Sequence, residues 1–235
     1  MSRIEPSAVR NQLLAALPPV DFGRLAASLT PVDLPFKHFL SEAGQPMDAA
    51  YFIETGMVSY LASLEGGEAI EVGIIGSEGM VGLPLAFGID RTPTAALIQL
   101  EGTALRVTAA ALRQAFSESE VLRNRMMHFM QALHAQVAQT AACNSRHLLE
   151  ERLARWLLMA HDRAGGDRFP MTHDFMGMML GVRRSGVTVA AGILKKAGVI
   201  DYGNGEMAVL DRQGLEAASC ECYGVVQRQI VQLLE

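Results

Sequence analysis

The spacing of apolar residues changes three times along the chain, and each change marks a different architecture. At the N-terminus "PSAVRNQLLAA" (6–16) and "DFGRLAAS" (21–28) carry helical spacing and predict two short helices divided by Pro18-Pro19. From Val32 to Val107 the texture is β-rich: "AYFIETGMVSYLA", "AIEVGIIG" and "AALIQLEGTALRV" are punctuated by Gly44, Gly56, Gly66-Gly67, Gly73, Gly76, Gly88 and Gly102. Short strands with turns at this density predict a β-sandwich or barrel. From Ala109 no glycine or proline occurs until Gly165, so this stretch is mostly helix. Within it Leu122, Met126, Phe129, Leu133, Val137 and Thr140 recur at spacings of four or three, a seam of heptad character. That seam is expected both to lie on the β region and to pair with a second copy of the chain. Asn144-Ser145 predicts a stop, and Leu149, Leu153, Trp156 and Leu157 predict a new amphipathic helix ending at Gly165-Gly166.

The last part reads as helix, tight turn, helix and hairpin. Thr172 is a good N-cap for a helix over 173–180, and Asp174 suits the positive end of its dipole. Gly181 supplies a turn, 183–197 forms the second helix, and Gly198 caps it. In "VIDYGNGEMAVL" the Asn204-Gly205 pair suits a type I′ hairpin. A helix-turn-helix followed by a hairpin is a winged helix.

Charge sharpens this picture. The net charge is −5, yet residues 1–110 hold 6 Lys/Arg against 12 Asp/Glu, whereas residues 146–200 hold 9 against 5. Only the second region is expected to face a polyanion. Half of the residues are apolar, which excludes disorder. The charge-free run 126–145 contains Gln131, Gln136, Gln139 and Asn144, amides too costly for a membrane span. The N-terminus has no uninterrupted apolar core of a secretory signal, and Cys143, Cys220 and Cys222 form no disulfide framework, so a reducing cytoplasm is expected.

The stretch "MTHDFMGMMLGVRRSGVTVAAGILKKAGVI" (171–200), with Thr at the first helix start, Leu-Gly at the turn and Arg-Arg-Ser opening the second helix, resembles the CRP/FNR superfamily of bacterial transcription regulators. "EGMVGLPLAFGIDRTPTA" is similar to that family's phosphate-binding cassette. The resemblance spans nearly the whole chain. It implies an α+β protein with a jelly-roll-like sensor β-roll (1–117), a long dimerisation helix (118–145) and a winged helix-turn-helix DNA-binding domain (146–235). It also implies that Arg184 reads a guanine edge, while Thr172, His173, Arg183 and Thr188 hold phosphates or thymine methyls and Ser185 stands where cAMP-responsive members carry an acid. The dimer interface is expected at Leu122, Met126, Phe129, Leu133 and Val137. Expected partners are double-stranded DNA with a palindromic operator, a second copy of the chain and RNA polymerase.

The effector site departs from the cAMP-binding pattern. Gly82 is followed by Leu83 where the family's ribose-binding carboxylate stands, Arg91-Thr92 remains as the phosphate clamp, and Val137-Ala138 replaces a Thr-Ser pair on the helix. These residues are the effector candidates, with cAMP or a related nucleotide disfavoured. No cysteine precedes Cys143 and the roll holds only His38, so neither an iron–sulfur cluster nor haem is expected. His128, His134 and His147 show no ligand spacing, Cys143 reads as a small buried residue, and no metal site is expected. The chain has no P-loop, no dinucleotide fingerprint, no cupin histidine pair and no nucleophile elbow, so no catalysis is expected. The rival reading is a nucleotide-binding roll whose winged helix meets proteins.

Overall fold

The computed structural model describes residues 4–234, with side chains through Gln232. Its N-terminal half is an antiparallel sheet of β1 (Thr30–Leu34), β2 (Phe39–Ser41), β3 (Ala49–Ser63), β4 (Ala69–Ile75), β5 (Met80–Val81) and β6 (Thr94–Thr108). The order is β1-β6-β3-β4, with β2 also on β6 and β5 also on β3. The short β-runs expected around Gly56 and Gly102 are two 15-residue strands, β3 and β6, which bend together. Their register shifts repeatedly between Ile53 and Val58. There Gly102 is required, because a Cβ at that position would lie 2.1 Å from the Thr55 carbonyl oxygen.

Alternation along the strands feeds two cores. Ala96 and Ile98 enter one with Phe52, Val58 and Leu105, whereas Ala95 and Leu97 enter the other with Met57 and Leu61. The first core is closed by α1 (Gln12–Ala15), α2 (Pro19–Ala26) and α3 (Ala109–Glu118). The first expected helix is shorter than its pattern, a 3-10 turn at Pro6–Ala8 followed by α1. Buried Asn11 separates the two, donating to the carbonyls of Ile53 (2.9 Å) and Gly79 (2.7 Å) and capping Leu14. Helix α2 starts at Pro19, where a missing N–H costs nothing.

Ser119 interrupts the long helical stretch: its hydroxyl accepts from Leu122 N–H (3.1 Å) and donates to Asp21 (2.6 Å). Helix α4 (Glu120–Arg146) then runs across the roll. It passes the expected stop at Asn144-Ser145 and breaks at His147-Leu148, where Glu151 accepts from the Leu148 N–H at 3.0 Å.

The expected dimer seam is corrected here. Leu122, Met126 and Phe129 are fully buried against the roll, and Leu133 packs beside them. Phe129 rests directly on Gly79, where a Cβ would stand 2.2 Å from its ring. Leu122, Met126 and Phe129 have no surface left for a second chain, whereas Leu133 and Val137 are half-buried. Farther along, the Gln136 amide accepts from Ile74 N–H (2.6 Å) and donates to Ile74 C=O (3.2 Å), so α4 completes the open edge of β4.

The C-terminal half comprises α5 (Leu149–Ala164), β7 (Arg168–Pro170), α6 (His173–Leu180), α7 (Arg184–Lys196), β8 (Ile200–Gly203), β9 (Glu206–Val209), α8 (Arg212–Ala218) and α9 (Cys222–Leu234). Thr172 caps α6 through the Phe175 N–H (3.3 Å), and Gly181 turns the chain at φ 65°. Asn204 and Gly205 both take positive φ, as the type I′ turn requires. The hairpin gains a third strand, β7, that the pattern had not suggested.

The two halves share the second core. Trp156, Leu157 and Met179 pack against Met57, Leu61 and Leu97 of the roll. Polar contacts pin this junction. Trp156 Nε1 donates to Glu71 Oε1 (2.8 Å), Ser59 Oγ donates to Glu71 Oε2 (2.6 Å), and Arg163 Nε donates to Glu78 Oε1 (3.0 Å). Burial pushes the Glu71 carboxyl up to about 7, against the opposing pull of those hydrogen bonds and of the Arg155 and Arg163 charges.

That shift predicts a pH effect. The folded chain holds the Glu71 proton up to about pH 7 and the unfolded chain loses it near 4.5, so folded stability falls as pH rises between these values. Glu71→Gln keeps an acceptor for Trp156 and cannot ionise. Urea unfolding at pH 5 and pH 7 is expected to show a decrease of about 2–3 kcal/mol from this group in the parent chain and none from it in the variant. Equal decreases in both would place the pH dependence elsewhere.

Candidate nucleic-acid interface, effector cavity and cysteine cluster

Helix α7 presents one side to solvent. Arg184, Ser185, Thr188, Val189 and Ile193 lie on it, while Val187, Ala190, Ala191 and Leu194 face the core. Val189 is 66% exposed and Ile193 48%, a large apolar exposure for a helix otherwise packed. Arg183 is the N-cap and Arg184 the first residue of the helix. Arg184 pairs with Asp174 of α6 at 3.4 Å, both side chains being more than two-thirds exposed, so the contact is weak and exchangeable.

His173 is less free. Its Nδ1 lies 3.0 Å from Thr188 Oγ1, which donates to Arg184 C=O (3.1 Å), and its ring packs edge-on against Tyr202. Burial, with the Arg184 charge, depresses its pKa, so the ring stays neutral and ties α6, α7 and the wing together. At the wing, Lys195 pairs with Asp201 at 2.5 Å and Arg168 with Glu206 at 3.2 Å. Arg183 with Gly177, Gly181 and Val182 faces Gly67–Ile70 of the roll across a cleft of about 440 Å³.

Between α4 and the roll lies a cavity of about 430 Å³. Gly82, Leu83, Thr92 and Val137 line it as expected, with Tyr60, Met130 and Leu133, which the motif comparison had not suggested. Arg91 does not line it: its guanidinium donates outward to the Gly44 carbonyl at 3.0 Å. The remaining phosphate clamp is therefore absent from the cavity, and among the described residues no charged one lines it. Tyr60 is held neutral, its phenol pushed by burial up to about 12. A cyclic phosphate placed here would lose its hydration without gaining a cation, so these residues do not fit a cyclic nucleotide.

A third group of side chains contradicts the expectation of no ligand set. Cys143 and His147, one turn apart at the end of α4, meet Cys220 and Cys222 around the start of α9. Their ligand atoms all lie within 4.8 Å of one another. Cys143 is held below its ordinary pKa chiefly by the hydrogen bond with Cys220, whose own thiol is pushed up by that same contact. Sequence spacing missed the group because its halves are separated by more than seventy residues. The visible signals were a Cys-x-Cys pair and a Cys/His pair at i, i+4.

A roll packed on a long helix that leads into a winged helix-turn-helix defines a two-domain DNA-binding regulator. The family model for the Crp-like helix-turn-helix domain matches residues 151–218, and that for the cyclic nucleotide-binding domain matches residues 32–119. Together they cover two-thirds of the chain, which belongs to the CRP/FNR superfamily of transcriptional regulators. The transcriptional regulator SdrP of Thermus thermophilus is 28% identical over 177 residues, 73% of this chain and 84% of SdrP. Two solved structures share the fold. FixK2 from Bradyrhizobium japonicum has a TM-score of 0.69 at 18% identity, covering 82% of this chain and 98% of that one. A crp/fnr-family regulator from Eubacterium rectale has a TM-score of 0.67 at 17% identity, covering 88% and 96%.

The cavity's lining sets an expectation that differs from the name of its domain. Titration of the purified chain with cAMP in a calorimeter is expected to give no binding at micromolar concentrations, since each lost hydrogen bond to a charged ligand group costs about 1.5–3 kcal/mol. A micromolar dissociation constant would mean that Arg91 swings inward from Gly44.

Proposed function

We propose that the chain is a cytoplasmic, homodimeric regulator that reads a two-fold-symmetric operator through α7, with RNA polymerase as its protein partner. The observation that carries this reading is the solvent-facing side of α7. It offers a guanidinium at the first helical turn, two hydroxyls, and apolar Val189 and Ile193 at positions suited to thymine methyls. Arg184 is the base reader, and its contact with Asp174 is exchanged for guanine O6 and N7. Arg183, Thr172 and Thr188 hold the backbone. His173 supports Thr188 rather than meeting DNA itself. The reading assigns the chain no catalysis.

Dimerisation belongs on the side of α4 that neither the roll nor α9 occupies. Met127, Met130, His134, Ala138 and Ala141 are exposed there at spacings of three and four. Two copies joined on this stripe carry their α7 helices into successive major grooves about 34 Å apart. Met130 lies on both the stripe and the cavity lining, so a small apolar effector in the cavity alters the dimer contact directly. Movement of α6–α7 away from Gly67–Ile70 opens the cleft at Arg183.

Two outcomes test this. Arg184→Ala is expected to cost about 1–3 kcal/mol on a selected site and to relax preference at one base pair per half-site, whereas Arg183→Ala weakens all duplexes alike and reduces the salt slope by about one per subunit. Loss of affinity without loss of base preference in Arg184→Ala would make it a phosphate contact. Met130→Glu, set on the exposed stripe, is expected to give monomers in sedimentation at micromolar concentration. An intact dimer would place the interface on another face.

A further inference from the structure

We propose that Cys143, His147, Cys220 and Cys222 bind one zinc(II) ion, a closed site that ties the end of α4 to the start of α9. The geometry points to a single metal. Tetrahedral zinc with Zn–S near 2.3 Å and Zn–N near 2.0–2.1 Å sets its ligand atoms about 3.5–3.8 Å apart. Cys143 Sγ and Cys220 Sγ are 3.5 Å apart, and so are Cys222 Sγ and His147 Nδ1. The three cysteines are buried and form a core cluster of their own, while His147 closes the outer side with its side chain 21% exposed.

The surroundings are those of a metal site. His147 Nε2 lies 3.2 Å from the Glu221 carboxylate, which fixes that nitrogen as the donor and leaves the Nδ1 lone pair turned toward the cysteines. Gln139 Nε2 donates to Cys222 Sγ at 2.9 Å. Three thiolates and one zinc leave a net charge of −1, and Arg155 is placed to balance it. That guanidinium is buried, bonds Thr140 through one nitrogen and has two others without a partner. Each buried unpaired donor is costly, so a nearby anionic centre gives Arg155 a reason to be there. Soft thiolates with one imidazole select zinc over the hard cations, and four protein ligands leave no open position for catalysis.

Two rivals fit less well. An iron–sulfur cluster holds its ligands around several metals, wider than a group whose atoms all lie within 4.8 Å. A Cys143–Cys220 disulfide needs the sulfurs to close to about 2.05 Å and leaves Cys222, His147 and Glu221 without a role.

The full chain, purified without chelator, is expected to carry one zinc per chain by elemental analysis. Cobalt exchanged for zinc is expected to show the intense visible bands of a tetrahedral thiolate site. Cys222→Ser is expected to lose the metal. Should that variant fail to fold, Glu221→Gln gives the same answer, because it leaves every ligand in place and is expected to release zinc to a competing chelator with 10–100-fold lower affinity. Alkylation adds a separate readout, with all three thiols protected in the zinc-loaded chain and reactive after stripping. The proposal is overturned by a chain without stoichiometric metal and with freely reactive thiols, by a Cys143–Cys220 disulfide in freshly isolated protein, or by iron and sulfide in place of zinc.

Discussion

The contact of α4 with the roll constrains the rest of the molecule. Leu122, Met126 and Phe129 are each fully buried there, and burial of such side chains contributes about 1.5–3 kcal/mol apiece. The approach is close because Gly79 has no side chain under Phe129, and its direction is set because Gln136 pairs with the Ile74 backbone like a further strand. Once that side is fixed, the helical period fixes the others. One side receives α9 near Ala132, Gln139 and Cys143, and the third, with Met127, Met130 and His134, faces solvent. The cavity lies along the same contact, farther down the helix, where Met130, Leu133 and Val137 line it.

This arrangement explains what could be read in the chain and what could not. Elements decided by local rules came through. The α6 cap at Thr172, the turn at Gly181 and the hairpin at Asn204-Gly205 each depend on a few adjacent residues. The heptad seam was also real, but a heptad pattern states only that one side of a helix is apolar and not what covers it. A roll offering glycine at the right place covered it first. The same limit applies to Arg91, whose type fitted a phosphate clamp while the loop geometry sent it to the Gly44 carbonyl. The cysteines failed for a different reason. No local spacing joins Cys143 to Cys220, and only the return of α9 along α4 makes them neighbours.

The junction between roll and winged helix is polar where most domain cores are not. Glu71 and Glu78 are both buried, and each meets a donor from α5. Removing either donor leaves Glu71 with Ser59 and Glu78 with the Gly76 N–H alone, so these directional contacts set the halves in register with each other. The apolar surfaces can slide past one another; Trp156 on Glu71 and Arg163 on Glu78 cannot. Rearrangement of the halves therefore breaks named hydrogen bonds.

The same contacts revise the meaning of the basic C-terminal region. Of the nine Lys and Arg between 146 and 200, Arg163 is spent on Glu78, Arg168 on Glu206 and Lys195 on Asp201. Arg152 bonds the Leu180 carbonyl, and Arg155 is buried. Arg146, Arg183, Arg184 and Lys196 remain, with only the exposed Asp174 set against Arg184. Of these contacts only Arg163 on Glu78 joins the basic region to the acidic roll; Arg168–Glu206 and Lys195–Asp201 are exposed, exchangeable pairs within the C-terminal half, and Arg152 and Arg155 bond the neighbouring helices α6 and α4. Few cations per subunit are left for phosphates, and non-specific affinity rises with the number of phosphates neutralised. Under the proposed function, binding by such a chain draws on base contacts on the exposed side of α7 and on doubling them in a dimer, which ties its affinity for DNA to the exposed stripe of α4.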